Sequence, residues 1–131
     1  MSSRVMFISG RSADARLLSR MLRPLPLALD HVPSMQQART LLSQKHYDVI
    51  LTESAVDDGN WLDVLHLVRD DYHQSEVIVT DPAADAHFWA EALNLGAYDL
   101  LAQPFYEPEV RRILGNACSR NLHQPLSAAA V

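Results

Sequence analysis

The chain is predicted to fold as a doubly wound α/β domain, a parallel sheet with helices on both faces. Three observations carry this. Short apolar runs alternate along the chain with segments of helical periodicity. The apolar runs are nearly continuous rather than alternating with polar residues, as expected of strands buried on both faces. Proline and glycine stand at the junctions, with Pro24, Pro26, Pro82, Gly96 and Pro108 punctuating successive segments.

Each element follows from its own residues. Val5–Ile8 reads as the first strand. Ser12 is placed to cap a helix over Ala13–Leu22, with Leu17, Leu18, Met21 and Leu22 as its apolar stripe. Pro24 and Pro26 end it. A second, weaker strand is expected over Leu27–Val32. Ser34 then caps a helix to Lys45, with Ala38, Leu41 and Leu42 facing inward. The third strand, Asp48–Thr52, lies in YDVILTE and delivers Glu53 to its C-terminal end. After a loop holding Asp57, Asp58 and Gly59, a third helix is expected over Trp61–Asp70, with Leu62, Leu65 and Val68 on its apolar side. Glu76–Thr80 is the fourth strand. Pro82 suits the first turn of a helix to Leu95, and Gly96 suits a left-handed cap after it. Ala97–Leu101 is the fifth strand. Pro108 opens a last helix whose buried stripe is Val110, Ile113, Leu114 and Ala117. Asn121 to Val131 lacks clear periodicity, so residues 1–120 are read as the domain and 121–131 as a flexible tail or the start of a linker.

Composition narrows the function. A length of 131 residues with 48% apolar content fits one globular domain with a core. No apolar run approaches the roughly 18 residues of a membrane span, and the N-terminus lacks a cleavable apolar signal, so a cytoplasmic location is expected. The net charge of -5 argues against direct contact with nucleic acid. That charge is uneven: residues 1–45 hold seven Lys/Arg against two Asp, and residues 46–131 hold four Arg against fourteen Asp/Glu. Arg16, Arg20 and Arg23 share one helix face, read either as a solvated face or as a patch that docks an acidic surface. Cys118 is the single cysteine, which excludes an internal disulfide. His31, His46, His66, His73, His87 and His123 have no metal-ligand spacing. Neither GxGxxG nor GxxxxGK[ST] occurs, so dinucleotide and P-loop phosphate binding are unsupported.

Three stretches carry a family resemblance. YDVILTESAVDDGNWLDVL resembles the third strand, phosphoacceptor turn and following helix of a response-regulator receiver domain. EVIVT resembles its fourth strand, ending in a hydroxyl residue, and GAYDLLAQPF its fifth strand and the loop that usually ends in Lys-Pro. The resemblance spans roughly residues 4 to 119. It implies a flavodoxin-like (βα)5 fold with strand order 2-1-3-4-5, and a non-enzymatic role in two-component, phosphorelay signal transduction.

The same resemblance marks departures. The acidic pair after the first strand, which serves magnesium, is matched by Ser9 and Gly10. The acceptor Asp is matched by Glu53, and the Lys by Gln103, still followed by Pro104. Thr80 keeps the hydroxyl, and Leu100 stands at the switch aromatic. Phosphoryl transfer needs a nucleophilic carboxylate and a cation to offset charge. A degenerate pocket of Ser9, Gly10, Glu53, Thr80 and Gln103 is therefore expected, with magnesium binding weak or absent and no cofactor. Three readings of Glu53 stand open: a carboxylate hydrogen-bonded to nearby backbone or to Thr80, an imitation of a phosphorylated Asp, and an unconventional phosphoacceptor. A flavodoxin-like small-molecule binder is a further alternative, though no Ser/Thr/Gly-rich phosphate loop follows the first strand. Arg11 is read as solvated or as pairing with Glu53 or Asp57, and Asp57, Asp58 and Asp81 as an acidic rim.

Partners are expected to be proteins: a second copy, a signalling protein or a fused output domain. With Ala86, Ala90 and Leu93 as the buried stripe of the fourth helix, Phe88 points outward and Trp89 lies at the border. Phe88, Trp89, Leu100, Arg111 and Arg112 are the candidate interface.

Overall fold

The computed structural model describes residues 3–72 and 74–130, with side chains described as far as Arg120. Five parallel strands form one sheet: β1 (Ser3–Ile8), β2 (Leu27–Val32), β3 (Val49–Glu53), β6 (Glu76–Asp81) and β7 (Asp99–Ala102). Two-residue strands β4 (Ala55–Val56) and β5 (Gly59–Asn60) make a small antiparallel hairpin after β3. The sheet order is β2-β1-β3-β6-β7, which is 2-1-3-4-5 when its five strands alone are counted. The helices are α1 (Ser12–Met21), α2 (Met35–Leu42), α3 (Trp61–Asp71), α4 (Ala86–Asn94) and α5 (Glu107–Ala130).

Both sheet faces are buried, and the strand residues divide between them. Met6, Ile8, Ile50, Val77, Val79 and Leu100 face a core completed by α2, α3 and α4. Val5, Phe7, Val49, Leu51, Ile78 and Leu101 face the other, completed by Ala15 and Leu18 of α1 and by Val110, Ile113 and Leu114 of α5. This two-sided burial is why the strands read as apolar runs.

Most helix signals act as the residues suggest. The Ser34 side chain accepts from the Gln37 N–H at 3.2 Å, and Asn60 with Asp63 forms a capping box at α3. Gly96 ends α4 with φ 111°, a conformation open to glycine. Three expectations are corrected. Ser12 is the first residue of α1 rather than its cap; Arg11 takes that position without a side-chain bond. The fourth helix starts at Ala86, not Pro82, because Asp85 accepts from the Phe88 N–H at 2.8 Å and stops the helix there. Its buried residue is Ala92, so Phe88, one turn earlier, turns inward, while Ala86 and Ala90 are exposed. Apart from these, α5 is described as one helix over Glu107–Ala130.

The β4–β5 hairpin is pinned to α2. A Cβ added at Gly59 would lie 2.7 Å from Met35 Cγ, and Met35 is fully buried. Gly59→Ala is therefore expected to overpack this contact and to cost about 1–3 kcal/mol in urea unfolding; an unchanged midpoint would show that Met35 has room to move.

Candidate functional site

The sheet order reverses at β1, whose neighbours are β2 and β3. Clefts at such a switch point, outside the C-terminal strand ends, are where open α/β sheets place their sites. The loop after β1 and the end of β3 meet here. The Gly10 N–H donates to Glu53 Oε1 at 3.0 Å. Ser9 is fully buried; its hydroxyl oxygen accepts from the Arg11 N–H at 2.9 Å. Its carbonyl accepts at 2.7 Å from His31 Nε2, which therefore carries the proton. On the neighbouring strand Thr80 stands in register with Glu53 and with Leu101 of β7.

A pocket of about 170 Å³ opens at this edge, lined by Arg11, Glu53, Ser54, Thr80, Asp81 and Gln103 among others. Four of the five predicted pocket residues thus converge: Glu53, Thr80 and Gln103 line it, and Gly10 holds Glu53. Ser9 supports the loop from beneath. Thr80 does not reach Glu53; its hydroxyl donates to the Leu101 carbonyl at 2.7 Å. Gln103 Nε2 is buried without a hydrogen-bond partner, and the bond from Gln103 to Pro104 is cis.

The members of the acidic rim have different roles. Asp81 is occupied: Oδ1 accepts from the Ser54 hydroxyl and Oδ2 from the Ala83 N–H at 2.8 Å. Asp58 caps α2, accepting from the Met35 N–H at 2.8 Å and the Gln36 N–H at 3.0 Å. The Met35 bond, foremost, holds its carboxyl below the usual carboxylate range. The stabilisation from this cap is present above the ordinary carboxylate pKa and is lost as pH falls through the lowered value. Sequence reasoning missed this role because cap and helix are 22 to 23 residues apart. Asp57 is exposed. Arg11 lines the pocket without pairing with Glu53 or Asp57.

These donors do not fit a magnesium ion, which wants several carboxylate or water oxygens in an octahedron. Gly10 offers no side chain, the Ser9 hydroxyl is spent on the backbone, and both Asp81 oxygens are engaged. Among the described residues no three His, Cys, Asp or Glu side chains are grouped to hold a metal. His73 and the His123 side chain lie outside the described residues. Cys118 is buried, and burial pushes its thiol up to about 11, so it stays protonated.

The candidate interface residues do not form one patch. Trp89 is 48% exposed, with its indole N–H donating to Asp99 at 3.0 Å, and Arg112 is exposed. Phe88 instead packs inward on Trp61, ring centroids 5.5 Å apart. Leu100 is 8% exposed and belongs to the core beneath α4. Arg111 ties α5 to α1, donating to the Met21 carbonyl at 2.8 Å and pairing with Glu107 at 2.7 Å.

Residues 5–114 match the response regulator receiver domain family. The chain belongs to that family. The receiver fold accounts for the (βα)5 order and for the cleft at β1 and β3. The response regulator protein PilR of Pseudomonas aeruginosa is 26% identical over 84 residues, 64% of this chain and 19% of PilR. The probable transcriptional regulatory protein y4xI of Sinorhizobium fredii is 28% identical over 83 residues, 63% of this chain and 37% of that protein. The matched stretch thus spans between about a fifth and two fifths of these curated relatives. Among solved structures, the receiver domain of a putative Luxo repressor protein from Vibrio parahaemolyticus superposes with TM-score 0.89 at 17% identity, covering 97% of this chain and 98% of that one. The beryllofluoride-activated NtrC4 receiver domain dimer superposes with TM-score 0.82 at 19% identity, covering 90% of this chain and 98% of that one. Receiver domains are signalling domains of two-component response regulators, and they act through proteins such as kinases and output domains. No described helix is long and apolar enough to cross a membrane.

Because Glu53 is the acceptor of the Gly10 bond, Glu53→Ala is expected to raise hydrogen exchange at the Gly10 amide several-fold while the β1 amides stay protected. Unchanged exchange at Gly10 would show that the loop holds itself.

Proposed function

We propose that this receiver domain is a pseudo-receiver: it signals by protein contact without a phosphoryl group on its pocket. The observation that carries this reading is the state of the pocket's oxygens. Glu53 is engaged by the Gly10 N–H, Asp81 is engaged on both oxygens, and Ser9 and Gly10 supply no carboxylate. Phosphoryl transfer to a carboxylate requires a cation that offsets charge on the transferring group. No carboxylate cluster suited to that cation is present among the described residues, and Gln103 contributes a neutral amide where the family has Lys. Beryllofluoride with magnesium is expected to leave the amide resonances of Gly10, Glu53 and Thr80 unmoved. A saturable shift there would establish Glu53 as a working acceptor and remove the proposal.

Contact surface is available on the α4 side. Trp89 and Leu95 are 48% and 51% exposed on or just after α4, and Tyr106 is 66% exposed beyond β7. Aromatic side chains dominate the energy of protein interfaces, so Trp89 replaces Phe88 as the anchor we assign. The partner is a second copy, a signalling protein, or an output domain fused to the receiver as the length of the curated relatives suggests. Trp89→Ala is expected to weaken self-association or partner capture by about tenfold or more, measured by sedimentation or titration; an unchanged constant for every partner tried would exclude this face.

A further inference from the structure

Two surface features carry charge that no ion pair uses among the described residues. On α1, Arg16 and Arg20 stand one turn apart, and Arg23 follows in the turn after the helix. All three are exposed, and none forms an ion pair among the described residues. On the other face of the sheet, α4 has the complementary character. Glu91 is exposed and forms no ion pair among the described residues, and neither α4 nor β7 contains a Lys or Arg. Asp99 Oδ1 accepts from the Trp89 indole N–H at 3.0 Å, which holds the half-exposed ring beside a carboxylate.

Such a surface selects a cation. Trp is the ring that attracts a cation best, and Arg is the cation found there most often. A guanidinium can lie on a ring and bond a carboxylate with its fork, which a Lys ammonium does less well. Ala86 and Ala90 are exposed on the same helix, and small side chains let a second helix approach closely. Symmetric pairings fail on charge. Two copies of α4 set face to face would oppose carboxylates, and two copies of α1 would oppose arginines; like charges set against each other disfavour an interface. The α1 of one copy against the α4 of another matches opposite charges.

We propose that this chain associates head to tail, the arginines of α1 on one copy seated on the Trp89, Glu91 and Asp99 surface of the next. The proposal rests on the reading above that the α4 side is a contact surface, and it names the occupant as a second copy. The two patches differ and belong to helices on opposite faces of the sheet. Each pair therefore leaves one patch of each kind free, and association extends as concentration rises.

The test is sedimentation equilibrium of the full chain at concentrations up to about 1 mM, where contacts of modest strength register. The proposal expects species larger than a dimer, and a contact about tenfold weaker when salt rises from about 0.05 M to about 0.5 M and shortens the screening length. Arg16→Glu combined with Arg20→Glu, and separately Glu91→Lys, change exposed residues only. Each is expected to weaken association about tenfold or more by setting like charges across the contact. Mixed in equal amounts, the two variants are expected to recover the wild-type constant and to stop at one-to-one pairs. One intact α1 and one intact α4 then remain per pair, and a symmetric contact cannot give this result. A wild-type chain that stays monomeric throughout overturns the proposal, as does an arginine variant that associates like the wild type, or a mixture that recovers nothing. Trp89→Ala separates the proposal from the reading beneath it. Association lost with Trp89→Ala but kept by the arginine variant leaves the α4 side as a contact surface and removes α1 as its occupant. Association that survives Trp89→Ala unchanged removes both.

Discussion

Burial of both faces of one parallel sheet is the constraint on which the rest of this receiver domain depends. Val5, Met6, Phe7, Val49, Ile50, Leu51, Ile78 and Val79 are wholly enclosed. Polar and charged groups are therefore confined to the strand ends and the loops beyond them, and each group near the sheet must find a partner there. Edge and loop chemistry follow from this confinement. Thr52 and Thr80 are nearly fully buried near the C-terminal edge, and each spends its hydroxyl on a backbone carbonyl, that of Glu53 and of Leu101 respectively.

The two ends of the sheet solve the problem differently. At the N-terminal end, Asp30 gathers the Tyr47 hydroxyl at 2.6 Å with Arg4 and Lys45 at 3.6 and 3.8 Å. The ion pairs are part-exposed and screened, so they contribute little. The Tyr47 bond matters more, because the tyrosine is wholly buried and its hydroxyl has a charged acceptor; such bonds contribute about 1.5–3 kcal/mol. Burial first, and Asp30 second, push the tyrosine's ionisation upward, so it stays neutral through ordinary pH. Asp48 completes this end by accepting from the Arg4 N–H at 2.8 Å. The C-terminal end is instead organised by loops: Glu53 holds the loop after β1, Asp81 braces Ser54 and Ala83, and Asp58 carries the hairpin onto α2. One end is a closed knot; the other is a ring of loop anchors around an open pocket.

The difference in what could be read from the residues follows the same division. Strands buried on both faces announce themselves as apolar runs, and their order came with the GAYD and QPF elements that mark the family. Ser34, Gly96 and the α5 stripe act through neighbours three or four residues away, so they too were legible. The start of α4 was not, because Pro82 and Asp85 both offer plausible openings and the choice belongs to Asp85's bond to Phe88. That choice rotates the helix and carries Phe88 from the outside onto Trp61. Asp58 was illegible for another reason: a carboxylate in an acidic loop has the same local signature whether it is solvated or caps a helix in a distant segment. For the pocket, the residues that would converge were legible, but their hydrogen-bond states were not. Thr80 turned to Leu101 and Glu53 to Gly10 are properties of register and loop path.

Hydrogen-bond state and charge are linked in this pocket. In the proposed reading, Ser9 and Gly10 standing where the family has two carboxylates would remove negative charge as well as ligands. The Gly10 N–H turns its dipole toward Glu53 at the end of β3. In a pocket with an acidic pair, Glu53 would sit among like charges and need a cation. Here a backbone donor serves part of that need, and Arg11, the next residue, supplies a positive charge to the same space. Ser9, Gly10, Arg11 and Gln103 are thus mutually consistent. In the proposed reading they give a site whose charges are balanced by the chain itself rather than by a bound metal, with the buried Gln103 amide left over.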